Sequence, residues 1–309
     1  MDVKLSPEHT ALLSAVRGEL ERHRARHPAP RPSDSDLASL HALAAAGFLD
    51  VMSEGGTAVD AVLVIEAAAA SAPGTPVAGR ALIGPLVTGR ALPSAVVAVE
   101  HPRGALARHA PLAEAFLVAG GDQAQYVEAA DAEIEAVASR WGYTMGRVTV
   151  RRGEYLRPGS GDRLLQAWRL ALAAEASGLM EAATLHATGH VSVRYQFGKP
   201  IGSLQSIQHR LARAYMLSQA AKWLARRAAW EHGDAVAASA AACYAAEGLR
   251  EVMATTHQVC GAIGFTDEFG LTRYTARMAM LQADLGGTRA HARALARARW
   301  GSRVARYDG

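Results

Sequence analysis

Val193-Arg194-Tyr195-Gln196-Phe197-Gly198-Lys199-Pro200-Ile201, followed by Gln205-Ser206-Ile207-Gln208-His209, decides how this chain is read. A helical apolar pattern runs into the stretch and another runs out, so Gly-Lys-Pro is a tight turn between two long helices. Arg194 and Gln205 flank the turn, and both side chains can grip phosphate or amide-like edges. A second block, Gln258-Val259-Cys260-Gly261-Ala262-Ile263-Gly264-Phe265-Thr266 and then Glu268, closes a later helical pattern.

Working outward, Leu165, Trp168, Leu172, Leu179 and Ala183 mark the stripe of the incoming helix, which continues to about Tyr195. Leu204, Ile207, Leu211, Ala214 and Ala221 track the outgoing one, with small Ser218 on the same face. Tyr244 to Val259 is a third, and Tyr274 to Leu285 begins a fourth that resumes after Gly286-Gly287. Four antiparallel helices with short turns make a bundle.

Upstream, Ser6-Pro7 opens a helix with a cap and then proline, and Leu12, Leu13, Val16 and Leu20 give its stripe. His27 to Pro32 is a proline-rich break. Further helices are predicted over 34–46, 58–70 and 80–92. Short strands are predicted over 95–99, 115–119, 132–138 and 143–150. The domains are therefore expected at 1–93 (helical), 94–156 (a reduced β segment) and 157–309 (the bundle), a mainly α fold.

A chain of 309 residues at 50% apolar buries a sizeable core. Its net charge of +4 comes almost wholly from arginine, with Lys only at 4, 199 and 222. The densest cluster, Arg289 to Arg306, lacks the interleaved aromatics of a nucleic-acid surface, so no nucleic-acid role is expected. Cys243 and Cys260 read as reduced, buried residues. With no apolar run long enough to span a membrane and no leader pattern, the expected location is cytoplasmic.

The two blocks, in this order over one bundle, resemble the acyl-CoA dehydrogenases, well over residues 156 to 290, loosely over the first ninety and poorly between. The resemblance implies a bundle that buries FAD at a dimer interface. Arg194 would then reach the FAD pyrophosphate of a neighbouring subunit, with Phe197 and Gln205 beside the adenosine half. Gln258 and Gly261 would lie along the ADP portion, with Thr288 also a cofactor contact. Ala262-Ile263 departs from the family's pattern, and Ile263 implies altered contact.

The absences weigh as much. In the family a carboxylate takes the proton α to the thioester while a hydride passes from the β carbon to the flavin. The usual Glu-Gly-Thr triplet is Gly286-Gly287-Thr288 here, and a second subgroup's base position is occupied by Trp168. The nearby carboxylates, Glu175 and Asp284, are displaced from those positions. The family's flavin-ring loop and strand have no match between Ala95 and Arg157. The resemblance thus implies a catalytically empty, FAD-site-completing subunit of an actinobacterial-type heteromeric (α2β2) enzyme. Its homologous catalytic partner would meet the acyl-CoA, by analogy a bulky steroid side-chain thioester, and the electron acceptor. Two alternatives stand beside it: a self-sufficient homo-oligomer with an atypical base, and a flavin-free scaffold.

Overall fold

The protein is described by a computed structural model covering residues 5–27, 34–90, 92–139 and 141–301. Residues 28–33 of the proline-rich break and the arginines beyond Gly301 lie outside the described residues. Helix α1 (Pro7–Arg26) starts where Ser6 accepts a hydrogen bond from the His9 amide and Pro7 fills the first turn. Helix α2 (Leu37–Ala45) is capped by Asp36, and α3 (Ala58–Ser71) by a reciprocal Thr57–Asp60 capping box. The helix expected over 80–92 is shorter: a π-turn at Gly79–Ile83 runs into α4 (Gly84–Thr88), which stops at Gly89 in a left-handed conformation.

Seven strands follow: β1 (Val96–Val99), β2 (Arg103–Arg108), β3 (Ala115–Val118), β4 (Gln125–Glu128), β5 (Ala132–Val137), β6 (Met145–Val150) and β7 (Glu154–Tyr155). They form two sheets, ordered β1-β3-β4-β7 and β2-β6-β5. Only β1 and β3 pair in parallel. Val97, Val99, Phe116, Val118, Val127 and Val148 fill the space between the sheets. Strands β2 and β4 were not expected from sequence. The buried positions of β2 are Ala105 and Ala107, and β4 buries only Val127, too little apolar contrast to register as alternation.

The remainder is the helical bundle: α5 (Ser160–Val193), α6 (Gln205–Trp230), α7 (Ala235–Cys260), α8 (Thr272–Ala283) and α9 (Gly287–Trp300), with a β8 (Tyr195–Gln196)–β9 (Lys199–Pro200) hairpin between α5 and α6. Leu165 packs partly buried against the core, and its neighbour Leu164 is fully buried in it. One expectation is corrected. Helix α7 begins at Ala235 rather than Tyr244, because its first turns bury alanines (Ala238, Ala241 and Ala242) that give no large-residue stripe. Asp234 caps it through the amides of Val236 and Ala237.

The first helices dock on the bundle through α3 against α5, and Gly178 permits the approach. A Cβ at that position would lie 2.4 Å from the backbone oxygen of Glu66. On the same helix, the Glu66 carboxylate accepts from Arg226 of α6 at 2.7 Å, both side chains being buried. Because a backbone carbonyl cannot swing aside, Gly178→Ala is expected to cost about 1–3 kcal/mol, read as a lower urea midpoint. An unchanged midpoint would show that the helices are not in this contact.

Candidate functional site

Helices α5 and α7 run in one direction and α6 in the other, so the end of α5, the start of α6 and the end of α7 share one end of the bundle. Arg194 is the C-cap of α5; its amide bonds back to His190, and its carbonyl accepts from the Ile201 amide at 2.8 Å, closing the hairpin. The two turn residues, Phe197 and Gly198, both have positive φ (56° and 75°), as the tightest hairpin turns demand. Glycine adopts this without penalty, whereas phenylalanine does so at a cost, and the Phe197 ring is 85% exposed.

Gln205 opens α6 and Gln258 lies in the last turn of α7, both exposed. Gly261 terminates α7 at φ 67°, ψ −148°, a region open to glycine alone, while Ala262 has no positive φ. The His190 ring packs edge-on against Phe269 at 5.0 Å, tying the turn after α7 to the end of α5. Among the described residues, the side chains of Arg194, Gln205 and Gln258 have no hydrogen bond or ion pair. Exposed Val193, Tyr195 and Phe265 belong to the same end. Three long polar side chains and an apolar rim therefore face outward together, without internal partners.

Thr288 does not join them. It starts α9 beside Cys243, whose Sγ lies 3.9 Å from the Thr288 carbonyl oxygen. Cys243 precedes Gln258 by fifteen residues on α7, about 22 Å along the axis. Gly286 is exposed with φ 79°, and a Cβ there would meet the Ala290 Cβ at 2.8 Å.

A separate cavity lies inside the chain, among the segment after α3, strands β1 and β2, α5 and the turn before α9. It encloses about 60 Å³, rising to about 770 Å³ when its open mouth is included. The enclosed part, which a buried ring system would have to fill, falls well short of the hundreds of Å³ typical of ligand sites. Trp168, Glu175 and Asp284 line it, so both sequence-level candidates for an atypical base reach one place. Neither carboxylate is free. Arg108 of β2 donates from Nη1 to both Glu175 oxygens at 3.1 Å and from Nε to Asp284 at 3.1 Å. Tyr143 donates to Glu175 at 2.5 Å.

The electrostatics follow from burial. Burial alone would lower the Arg108 pKa, but Glu175 and Asp284 together outweigh it and raise the value. Burial pushes Asp284 up, against Arg108, and pushes Tyr143 well up, with Glu175 adding to it. His109 is held well below the usual range by burial and by Arg108 and Arg277. The Tyr143 ring lies between two guanidinium groups, 4.7 Å from Arg108 and 5.6 Å from Arg277. Arg108 and Arg277 against Glu175 and Asp284 balance formally to zero. Arg277 is 1% exposed and donates to the carbonyls of Arg273 and Asp34.

Sequence reading missed Arg108, Tyr143, His109 and Arg277. One signal was available: Arg277 sits four residues before Leu281 on the buried stripe of α8, a charge where an apolar residue belongs. Arg108 closes an alanine-rich strand and carries no such mark.

Comparison with known proteins agrees with this architecture. Residues 162–300 match the acyl-CoA dehydrogenase C-terminal domain. Acyl-CoA dehydrogenase FadE34 of Mycobacterium tuberculosis is 36% identical over 135 residues, 42% of this chain and 19% of that protein. The aligned parts span less than a third of the curated relatives' length. Among solved structures, a variant of the Tcur3481–Tcur3483 steroid ACAD superposes with a TM-score of 0.78 at 23% identity, over 94% of this chain and 97% of that one. The ChsE4–ChsE5 complex from Mycobacterium tuberculosis gives 0.75 at 19% identity, over 96% and 98%. Among the described residues no helix is long and apolar enough to cross a membrane. The chain therefore carries the mainly α acyl-CoA dehydrogenase fold over the length of the superposition, and residues 162–300 are similar to the acyl-CoA dehydrogenase C-terminal domain.

Proposed function

We propose that this chain is the non-catalytic subunit of a heteromeric acyl-CoA dehydrogenase and completes an FAD site held mainly by a homologous catalytic partner. The observation that carries the reading is the outward set at the bundle end: among the described residues, the side chains of Arg194, Gln205 and Gln258 have no hydrogen bond or ion pair. Beside them Phe197 holds a costly left-handed conformation with its ring in solvent. Such a set suits an elongated anionic cofactor with an aromatic end, so the residues present fit FAD. Arg194 would hold the pyrophosphate with its planar fork, Gln205 and Phe197 the adenosine half, and Gln258 with the Gly261 turn the ADP backbone. FAD, when bound, supplies the hydride acceptor for α,β-dehydrogenation. Thr288, remote from this set within one chain, would contact cofactor only at a different part of the assembly.

The inner cavity supports the same division of labour. Its carboxylates are engaged by Arg108 and its enclosed space is small, so proton abstraction falls to the partner. The acyl group is proposed, by analogy with the steroid ACAD similar in fold, to be a bulky steroid side-chain CoA thioester, and electrons would leave through the partner. A second reading keeps one observation: Asp284 lines a cavity and burial raises its pKa, as a general base requires. On that reading the chain would be a self-sufficient enzyme.

Flavin absorbance separates the readings. The isolated chain is expected to be colourless and to show no stoichiometric FAD site by titration calorimetry, while co-expression with a homologous catalytic subunit yields a yellow hetero-oligomer. A yellow homogeneous chain that oxidises acyl-CoA would support the second reading, and a complex that never takes up flavin would leave a scaffold. Gly286→Glu gives a further check in a hetero-oligomer whose partner base is replaced by Gln. No turnover should return, because the cavity offers no flavin-ring space, and the left-handed backbone should cost about 1–2 kcal/mol. Rescued turnover would place a working flavin site in this chain.

A further inference from the structure

The turn that follows α7, residues 261–271, is fastened to the bundle by imidazoles. Its hydrogen bond from outside α7 and α8 comes from His186 of α5, whose Nε2 donates to the Phe269 carbonyl oxygen at 2.8 Å. The rings of His186 and His190 meet the Phe269 ring edge-on, at 4.6 and 5.0 Å. Phe265, 69% exposed, stacks on His257 of α7 with centroids 4.3 Å apart and planes 23° apart. His257 Nε2 lies 2.9 Å from Thr275 Oγ1 on α8. One ring on the helix before the turn therefore touches both the turn and the helix after it.

The position of the proton on His257 follows from its partners. Thr275 Oγ1 donates to the Leu271 carbonyl oxygen at 3.4 Å, so it accepts from His257, and the neutral ring carries its proton on Nε2. Nδ1 is then a bare acceptor, buried and without a hydrogen-bond partner among the described residues. Buried Gly264 closes that side, where a Cβ would lie 3.4 Å from Nδ1. A second proton would turn this acceptor into a charged, buried donor with nothing to receive it, the costlier of the two defects. The Phe265 face offers the imidazolium a cation–π contact, a smaller gain at so exposed a ring. The titratable groups on the elements packed around His257 are Asp267 and Glu268 of the turn, Arg273 and Tyr274 of α8, and His186 and His190 of α5, with Cys260 on its own helix. None of them moves the His257 pKa, which burial alone holds below the usual 6.5. His190 resists protonation as well, through burial and then the charges of Arg194 and His186.

We propose that the turn after α7 is a pH-sensitive latch closed by His257: the neutral ring pins residues 261–271 between α7 and α8, and the protonated ring releases them. On the cofactor reading above, on which this consequence rests, release draws the Gly261 turn away from the flavin, so acid loosens the FAD site. The sign follows from linkage. The folded pKa lies below 6.5, so the open form takes the proton first. The stability of the closed turn is complete above 6.5 and is lost as pH falls through the folded pKa. If the open form alone binds the proton, opening gains at most about thirtyfold between pH 8 and pH 5.

Hydrogen exchange read by mass spectrometry on the full chain, without flavin and corrected for the intrinsic pH dependence of exchange, tests the latch. Peptides covering 261–271 should lose protection by about three- to thirtyfold from pH 8 to pH 5, while peptides from α3 keep theirs. His257→Gln does not titrate, and His257→Phe keeps a stacked ring without a proton to gain. Whatever their starting protection, both should lose the pH dependence of the turn, and His190→Gln should retain it. The proposal is overturned if the turn is equally protected at pH 5 and pH 8, or if both His257 variants keep the pH dependence. It is likewise overturned if the His257 ring titrates at or above 6.5 by NMR. Flavin retention by the hetero-oligomer, dialysed at the two pH values, separates the latch from the cofactor reading. A turn that opens while flavin stays bound supports the latch and removes the turn from the cofactor site.

Discussion

Arg108→Ala should lower the free energy of unfolding by about 3–5 kcal/mol, the range for removing one partner of a buried, hydrogen-bonded ion pair. The guanidinium pairs with both Glu175 and Asp284, and its loss leaves two nearly buried carboxylates without their cation. It also strips one face from the Tyr143 ring and upsets the balance of two cations against two anions. The cost should fall mostly on charge rather than packing. The combined variant R108M/E175Q/D284N, neutral and close in volume, should therefore recover most of the stability. Urea unfolding of the isolated chain gives the comparison, and a single-variant loss below about 1 kcal/mol would show that the cluster is solvated.

The same cluster sets a pH dependence with a definite sign. Asp284 has its folded pKa raised above 3.8, so the folded state binds more protons between 3.8 and that raised value. The stability associated with this residue is present below 3.8 and is lost as pH rises through the folded pKa. Asp284→Asn keeps the shape of the side chain and stays neutral at every pH. It should flatten the slope on the acid side of neutrality and cost much less than Arg108→Ala. An unaltered slope would assign the dependence to another group.

What the sequence made legible was local. Ser6-Pro7 writes its geometry within four residues, and the structure has a cap there; the Gly198-Lys199-Pro200 turn was read one residue late, since the turn residues are Phe197 and Gly198 and Lys199-Pro200 form the second strand of the hairpin. The set at the bundle end was singled out through the resemblance of its two sequence blocks to the acyl-CoA dehydrogenases, and the structure places its members at helix ends. The Arg108 cluster was illegible because it is built across the chain, with partners 67 and 176 positions away. Periodicity says nothing about such pairs. Glu175 and Asp284 read only as carboxylates displaced from the family's base positions for the same reason, since each looks unremarkable until Arg108 arrives. Alanine hid other features, the first turns of α7 and the buried side of β2, because a one-carbon side chain can be buried without announcing which face it occupies. Gly286 illustrates the opposite limit. Its lack of a carboxylate is plain from sequence, yet the left-handed backbone that would resist restoring one is visible only in the fold.

Arg194→Ala should reduce FAD retention by the hetero-oligomer about ten- to a hundredfold while leaving the isolated chain's fold intact. The magnitude is that of one charge-assisted bond to a phosphate removed from a dehydrated interface. The fold should be indifferent because the Arg194 side chain makes no hydrogen bond or ion pair among the described residues. The backbone contacts that close the hairpin, His190 to Arg194 and Arg194 to Ile201, survive truncation. Arg194→Lys separates charge from shape: a point charge should restore part of the affinity, and the missing bidentate fork should leave a several-fold deficit. Phe197→Gly supplies an internal contrast. It relieves a positive φ and so should raise the stability of the isolated chain while still weakening flavin retention, an opposition expected when strain is held for a partner's benefit. Dialysis of the purified complex followed by flavin absorbance reads all three variants. Wild-type retention by Arg194→Ala would remove this residue from the cofactor site and leave it a solvated helix end.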